Sequence, residues 1–328
     1  MKKFILGLIV FAFPLIAGEI PRDAKVYVAG HRGLVGSAIM RHLKEEGFTN
    51  IITRTSSELD LRDQKAANDF FAKEKPEYVF LAAAKVGGIL GNCSAQAEFL
   101  YNNLMIATST IKAAHNHGVK RFINLGSSCI YPRMCPQPIK EEYLLTGALE
   151  ETNYGYAIAK IAAIKLCKAL NVENKTRFIS IMPCNLYGPN DNYDPKTSHL
   201  FPAMIRKIVE AKENGDPTFV MWGTGSPKRE FMHSDDVARA SLFLMENYDG
   251  DEIVNIGWGK DISVLDFTNM VKEAVGYEGE IVLDPTKPDG TPRKIMDVSR
   301  LKSLGFEPKI SLREGIERTV QDFLKEHR

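Results

Sequence analysis

Between Lys25 and Pro183 short apolar runs alternate with longer stretches in which apolar residues return every three or four positions. The short runs "KVYVAG", "NIITRT", "YVFLAAA", "RFINLGSS" and "FISIMP" predict strands. The longer ones predict helices: "LVGSAIMRHLKEEG" closed by Gly47, "AANDFFAKEKP" stopped by Pro76, "AEFLYNNLMIATSTIKAAHNHG" and "YAIAKIAAIKLCKAL". Strands that are apolar throughout and separated by helices predict an α/β protein, with a doubly wound parallel sheet of Rossmann type. After about Asn185 the rhythm loosens. "NLYGPNDNYDP" is rich in turn residues, and helices such as "FPAMIRKIVEAKENG" and "SVLDFTNMVKEAVG" are set between short strands. The expected organisation is a sheet domain over 23–185 and, over 186–328, predominantly a smaller C-terminal lobe.

The first segment stands apart. "MKKFILGLIVFAFPLIAGE" places two lysines before a largely apolar stretch interrupted by Gly7 and Pro14, too short to span a bilayer as a helix. Cleavage after Ala17 or Gly18 would leave Leu15 or Ile16 where a small residue is wanted. Residues 1–22 therefore read as an appendage to the fold: an export signal, a membrane tether or an overextended start.

Composition narrows the partners more than the fold. With 42 basic and 41 acidic residues in 328, no global charge draws the chain to nucleic acid, and membrane contact is expected only if the apolar leader is retained. Five cysteines, at 93, 129, 135, 167 and 184, include no CxxC pair, which argues against a disulfide framework or a structural zinc and predicts no metal site.

Candidate chemistry gathers at strand ends. "AGHRGLVGSAI" follows the first strand and opens the first helix, with Gly30, Gly33 and Gly36 spaced for a tight turn and close approach of backbone to a pyrophosphate. At the end of the second strand, "TRTSSE" lacks the early carboxylate that would hold the ribose of NAD. Arg32 and Arg54 can pair with a 2′-phosphate there, and Ser56 and Ser57 add hydroxyls, so NADP (NADPH) is the expected cofactor. Glu58 is close enough to keep NAD in view, and Arg54 merely facing solvent is the plainer alternative. Asp60, Leu61 and Asp63 either border an adenine or cap the next helix.

The fourth strand ends in "GSSCIYP", and the following helix carries Tyr156 and Lys160 one turn apart on one face. An ammonium beside a phenol lowers its pKa, which would let Tyr156 pass a proton to a carbonyl oxygen held by Ser127. If strand geometry persists, Cys129 points the same way as Ser127. His199, in "KTSHLFPAM", titrates near neutrality. Taken singly, Cys129 is as readily a small buried hydrophobe, and His199 a cap or core residue.

Together the glycine loop, "LAAAKVGG", "LGSSCIYP", "YAIAK", "MPCNLYGP", "SPKREFMH" and "KPDGTPRK" resemble the extended short-chain dehydrogenase/reductases, from about Lys25 to the C-terminus. "AAAKVGG", the cysteine-containing serine motif and "KPDGTPRK" narrow the resemblance to the branch that epimerises and reduces GDP-4-keto-6-deoxy-D-mannose, giving GDP-L-fucose. The resemblance implies a Ser127, Tyr156 and Lys160 reductase triad, with Cys129 and His199 as the acid/base pair of a 3,5-epimerisation. It implies cofactor contacts at Gly30, His31, Arg32, Gly33, Leu34, Val35 and Gly36, at Arg54, Ser56, Ser57, Asp60 and Leu61, and at Leu125, Gly126 and Ser128. It adds Lys160, Pro183, Cys184, Asn185, Leu186 and His199. Cys184 stands where the family often has threonine, while Cys135 and Cys167 keep a packing role. For the GDP-sugar it implies Lys207, where many relatives carry arginine, with Trp222, Arg229 and Asp289; Arg293 and Lys294 lie close by. A homodimer is expected by analogy, and the cytoplasm by the location of NADPH and GDP-sugars, with tethering to the cytosolic membrane face as second choice. Two other readings stay open: a 4-ketoreductase of a related GDP-6-deoxy-hexose or heptose without epimerisation, and a non-catalytic dinucleotide-binding sensor or scaffold.

Overall fold

A computed structural model describes residues 18–195, 197–287 and 289–326. In chain order the first half runs β1 (Val26–Ala29), α1 (Leu34–Glu45), β2 (Ile51–Ile52), α2 (Gln64–Glu74), β3 (Tyr78–Leu81), α3 (Ile89–Ser94), α4 (Gln96–Asn116), β4 (Arg121–Leu125), α5 (Tyr154–Asn174) and β5 (Phe178–Pro183). The second half runs β6 (Asn185–Tyr187), α6 (Leu200–Asn214), β7 (Thr218–Trp222), β8 (Lys228–Arg229), β9 (Phe231–His233), α7 (Ser234–Asn247), β10 (Val254–Ile256), β11 (Ile262–Ser263), α8 (Val264–Val275), β12 (Glu280–Asp284), β13 (Arg293–Lys294), α9 (Ser299–Ser303) and α10 (Leu312–Glu326).

One parallel sheet organises the molecule, in the order β10-β5-β4-β3-β1-β2. Its strands are buried on both faces, which is why they read as unbroken apolar runs. Within β1, Val26 and Val28 join one core cluster, while Tyr27 and Ala29 join the other. Helices α1 and α7 cover the first face; α2, α4 and α5 pack side by side over the second. The chain leaves β1 for opposite sides of the sheet, to β2 and β3, so a crevice opens at the carboxyl ends of β1 and β3.

The lobe has its own core of stacked aromatics. Phe201 lies 3.9 Å from the Tyr187 ring and 4.9 Å from Phe267, and Phe231 lies 4.7 Å from Phe267. A small correction applies after residue 185, because the lobe is not one continuous stretch. Helix α7 and strand β10 return to the large sheet, with Val254 paired to Ile181 and Ile256 to Pro183. The large sheet thus draws its sixth strand from residues 254–256, where a short "IVNIG" run is too brief to mark a strand of either body.

A second correction concerns the leader. Its apolar stretch lies almost wholly outside the described residues, but Ile20 is 2% exposed within the first core cluster, and its N–H donates to Glu246 at 3.2 Å. Arg22 reinforces the junction, donating to the Glu246 carboxylate at 2.7 Å and lying over Phe48. Residues 19–22 thus belong to the fold. Truncating a buried isoleucine leaves a cavity, so Ile20→Ala should lower unfolding free energy by about 2–4 kcal/mol in urea titration; a side chain of a detached leader would change nothing.

Candidate active site

The glycine loop is shaped by close approach. Gly30 has φ 81, and a Cβ there would fall 2.6–2.8 Å from the Ala82–Ala83 backbone at the end of β3. A Cβ on Gly36 would lie 2.0 Å from the Gly30 carbonyl oxygen. The loop folds tightly against α1, whose N-cap is Gly33 and whose first turn carries no acidic residue. Its first amides are left without intrahelical acceptors, at the positive end of a helix dipole. His31 adds a buried Nδ1 with no partner, and burial together with the Arg32 charge lowers its pKa, while Glu58 raises it. These groups fit a dinucleotide pyrophosphate. Leu34 and Val35 are half-buried beside it.

At the adenosine end the expected residues separate. Arg32 is exposed. Arg54 is committed elsewhere: it donates to Glu74 at 2.7 Å and to the Thr53 carbonyl at 2.7 Å, and its guanidinium covers the Phe70 ring. Ser56 and Ser57 lie in an exposed turn, with the Ser57 hydroxyl 2.9 Å from that of Thr55. Glu58 is held by the N–H and hydroxyl of Thr55, which with the Arg54 and Arg32 charges pull its pKa down. At "LDLRD", Asp63 caps α2 through the Ala66 N–H, Asp60 is forked by Arg62, and Leu61 is buried in the second core cluster. Leu61 therefore faces the core.

The catalytic candidates converge beyond β4. The strand does not continue to Ser127, as "RFINLGSS" had suggested; it stops at Leu125, and Ser128–Ile130 form a single 3₁₀ turn. The Ser127 hydroxyl caps that turn, accepting from the Cys129 N–H at 3.2 Å. This turn, rather than strand alternation, sets Cys129 near Ser127. From α5, Tyr156 reaches in beside Ser127, near enough for that hydroxyl to act on its pKa, with Cys129 near enough to act on the charge of both Tyr156 and Lys160. Lys160 is buried, and its Nζ donates to the Leu125 carbonyl at 2.6 Å, 5.7 Å from the Tyr156 ring centroid.

The electrostatics correct one expectation. Burial raises the Tyr156 pKa, Cys129 adds to the rise, and Ser127 only partly opposes it. The phenol thus stands above its ordinary value rather than below it, while Lys160 points at a strand carbonyl and burial pushes its own pKa down to about 8.

The remaining positions sort by burial. Gly126 packs against the Met182 side chain, and Leu125, Ser128 and Pro183 are buried at the strand ends. Cys184 is buried, with its thiol pKa pushed well up by desolvation, so it is a core residue with its Sγ on the Asn185 carbonyl. Asn185 donates to the Glu230 carbonyl at 2.9 Å, and Leu186 is half-buried beside it. Cys167 is buried and Cys135 half-buried, both with pKa values raised by desolvation.

His199 is the N-cap residue of α6, yet its ring makes no capping bond. It remains accessible to solvent, and crowding around the ring lowers its pKa. Across the lobe, Arg229 donates to the Lys228 and Thr291 carbonyls, and burial lowers its pKa against the opposing pull of Asp289. Asp289 accepts from the Thr224 N–H and hydroxyl, fixing the turn after Trp222. Trp222 is 71% exposed beneath Lys287, and Lys207 is exposed on α6. Arg293 is paired with Asp261.

One buried charge was missed. Glu230 is fully buried, accepts from the Gly259 N–H at 2.6 Å and the Met296 N–H at 2.8 Å, and burial pushes its pKa up to about 7. It fastens the Arg229 strand to the end of β10. The only signal was a lone carboxylate inside "REFMH".

An open parallel sheet with a glycine cradle at its switch point and a Tyr-Lys helix beside it defines a dinucleotide-dependent dehydrogenase/reductase architecture. The sequence pattern of the NAD dependent epimerase/dehydratase family matches residues 26–257, and the chain belongs to that family. GDP-L-fucose synthase 1 of Arabidopsis thaliana is 55% identical over 304 residues, 93% of this chain and 94% of that protein. GDP-L-fucose synthase of Escherichia coli (strain K12) is 47% identical over 312 residues, 92% and 97% of the two chains. A GDP-L-fucose synthetase structure from Naegleria fowleri bound to NADP superposes with a TM-score of 0.88 at 31% identity, covering 95% of this chain and 96% of that one.

Lys160 offers a pH test. Between pH about 8 and its ordinary 10.5, the folded lysine has released a proton that the unfolded one keeps, so the unfolded state binds more protons and stability rises with pH. The unfolding free energy of the wild type minus that of Lys160→Met should climb by roughly 3 kcal/mol across this window, measured by denaturant titration at several pH values. A flat difference would place the ammonium in water.

Proposed function

We propose that this chain is an NADPH-dependent bifunctional enzyme that epimerises GDP-4-keto-6-deoxy-D-mannose at C-3 and C-5 and reduces the 4-keto group, giving GDP-L-fucose. The observation that carries the reading is the joining of Ser127, Tyr156 and Cys129 at the end of β4, beside the glycine cradle. The identity to GDP-L-fucose synthases supports the substrate.

In the epimerisation, one of Cys129 and His199 takes the proton at C-3 or C-5, and the bonding electrons move onto the C-4 oxygen as an enolate. The other member returns a proton on the opposite face, so the sugar is neither oxidised nor reduced. Ser127 and Tyr156 hold the enolate oxygen. The reduced nicotinamide, when bound, supplies hydride to C-4. Tyr156 then gives its proton to the C-4 oxygen; its raised pKa keeps it protonated and ready as a donor. Lys160 would face the bound cofactor from α5, the α1 amides would hold its pyrophosphate, and Arg32 would meet its 2′-phosphate. Arg229, Trp222, Asp289 and Lys207 line the lobe's approach to the GDP moiety.

No helix among the described residues is long and apolar enough to cross a membrane. NADPH and GDP-sugars place this activity in the cytoplasm, and a homodimer fits the architecture.

Tyr156→Phe should lower NADPH-dependent reduction by about 10²–10⁴-fold. Deuterium should still enter C-3 and C-5 from D₂O without NADPH, more slowly than in the wild type because the phenol also holds the enolate oxygen, whereas an enzyme that only reduces would incorporate none. For the cofactor, Arg32→Ala should weaken NADPH binding about tenfold or more while leaving NADH nearly unchanged, since a charge-assisted bond to the 2′-phosphate is lost. Equal losses for both nucleotides in fluorescence titration would remove Arg32 from the 2′-phosphate.

A further inference from the structure

Resting on this reaction, we infer that the Gly87–Gly88 turn, held by Asn92, is a clamp that positions His199 and thereby serves the epimerisation half alone. The "AAAKVGG" motif lies at the outlet of β3, and none of its residues belongs to the proton-transfer or hydride-transfer groups.

The geometry links it to His199 in short steps. Buried Asn103, on α4, accepts from the Lys85 N–H at 2.9 Å and donates to the Lys85 carbonyl at 2.9 Å, anchoring the start of the turn. Gly87 lies against the Phe99 ring, where a Cβ would sit 3.1 Å from it. Asn92 is 7% exposed and spends its amide on the turn, donating to the Gly87 carbonyl at 2.5 Å and the Gly88 carbonyl at 3.1 Å. The Gly88 N–H then crosses to the lobe, donating to the Thr197 carbonyl at 2.8 Å, two residues before His199. A Cβ on Gly88 would fall 2.5 Å from the Ser198 carbonyl oxygen, so backbone meets backbone here. Thr197 is braced from behind by Asp194, which accepts from its N–H and its hydroxyl at 2.9 Å each.

His199 has no side-chain capping bond of its own to fix it, so the placement of its backbone decides where the ring goes. Ser127 lies just past the end of β4, Tyr156 and Lys160 lie on α5, and the Gly88–Thr197 bond joins neither segment. Gly88 has φ −64, a conformation alanine adopts freely, so a methyl there acts on the neighbouring backbone and strains nothing else.

The test is Gly88→Ala in the full chain, read by two assays. Deuterium entry at C-3 and C-5 without NADPH should fall by about tenfold or more, as expected for an angstrom-scale misplacement of a proton-transfer group. NADPH oxidation on the keto-sugar should stay within about threefold, and the product should shift from the L-fuco configuration to an un-epimerised 6-deoxy-hexose. Asn92→Ala, which removes the two donors without adding bulk, should move the same ratio in the same direction by less. Parallel loss of exchange and reduction in both variants would mean a general lesion and overturn the clamp, as would unchanged exchange in both. If the wild type itself exchanged no deuterium, the proposed reaction would fail first and the clamp with it.

Discussion

The bond from the Lys160 ammonium to the Leu125 carbonyl holds the site together. It ties the catalytic helix α5 to the last residue of β4, at the point where the chain turns aside to present Ser127 and Cys129. A buried ammonium is costly unless strongly hydrogen-bonded, and a strand-end carbonyl has no further ladder partner to satisfy. Each group answers the other's need. Because Lys160 lies one turn beyond Tyr156, fixing its head against the strand also fixes the face of α5 that turns toward Ser127.

That arrangement changes how the tyrosine works. With the ammonium aimed at the strand, burial governs the phenol and keeps it protonated. Reduction of a ketone needs a proton delivered, so a phenol that keeps its proton until negative charge forms on the substrate oxygen is well matched to this direction. The lysine contributes a nearby positive charge of moderate persistence, its pKa brought to about 8. The same oxygen, held by Ser127 and Tyr156, can serve as enolate in one half-reaction and as alkoxide in the other. One oxyanion site thus suffices for both.

Much of the sheet was legible because its signal is redundant: buried parallel strands are apolar on both faces, and each is bracketed by a helix of amphipathic period. Tyr156 and Lys160 were legible because helical spacing alone puts them on one face. What failed were inferences carried past an element's end. Cys129 was placed by extending β4, whereas a 3₁₀ turn capped by Ser127 does the work. Leu61 and Arg54 were read from the sequence toward the cofactor, and their second partners, the core contact of one and the Glu74 carboxylate of the other, come from elements far along the chain. Strand β10 escaped notice because a three-residue strand has too few positions to show a period, and its place beside β5 depends on contacts far away in sequence.

The chain's long excursion into the lobe and back follows from the stereochemistry. Inverting a carbon requires proton donor and acceptor on opposite faces of the sugar ring, and the edge of one sheet presents groups from one side only. Ser127, Cys129 and Tyr156 come from the turn after β4 and from α5. In the proposed reaction the opposing group has to arrive from another layer, and the candidate for it, His199, stands at the N-terminus of α6, in the lobe. Glu230 and the Gly88–Thr197 bond are then two of the means by which that layer is kept at a fixed distance from the sheet. A carboxylate sealed from water and a glycine pressed against a carbonyl are expensive local choices in isolation, and they make sense as the cost of holding two bodies in register across a cleft.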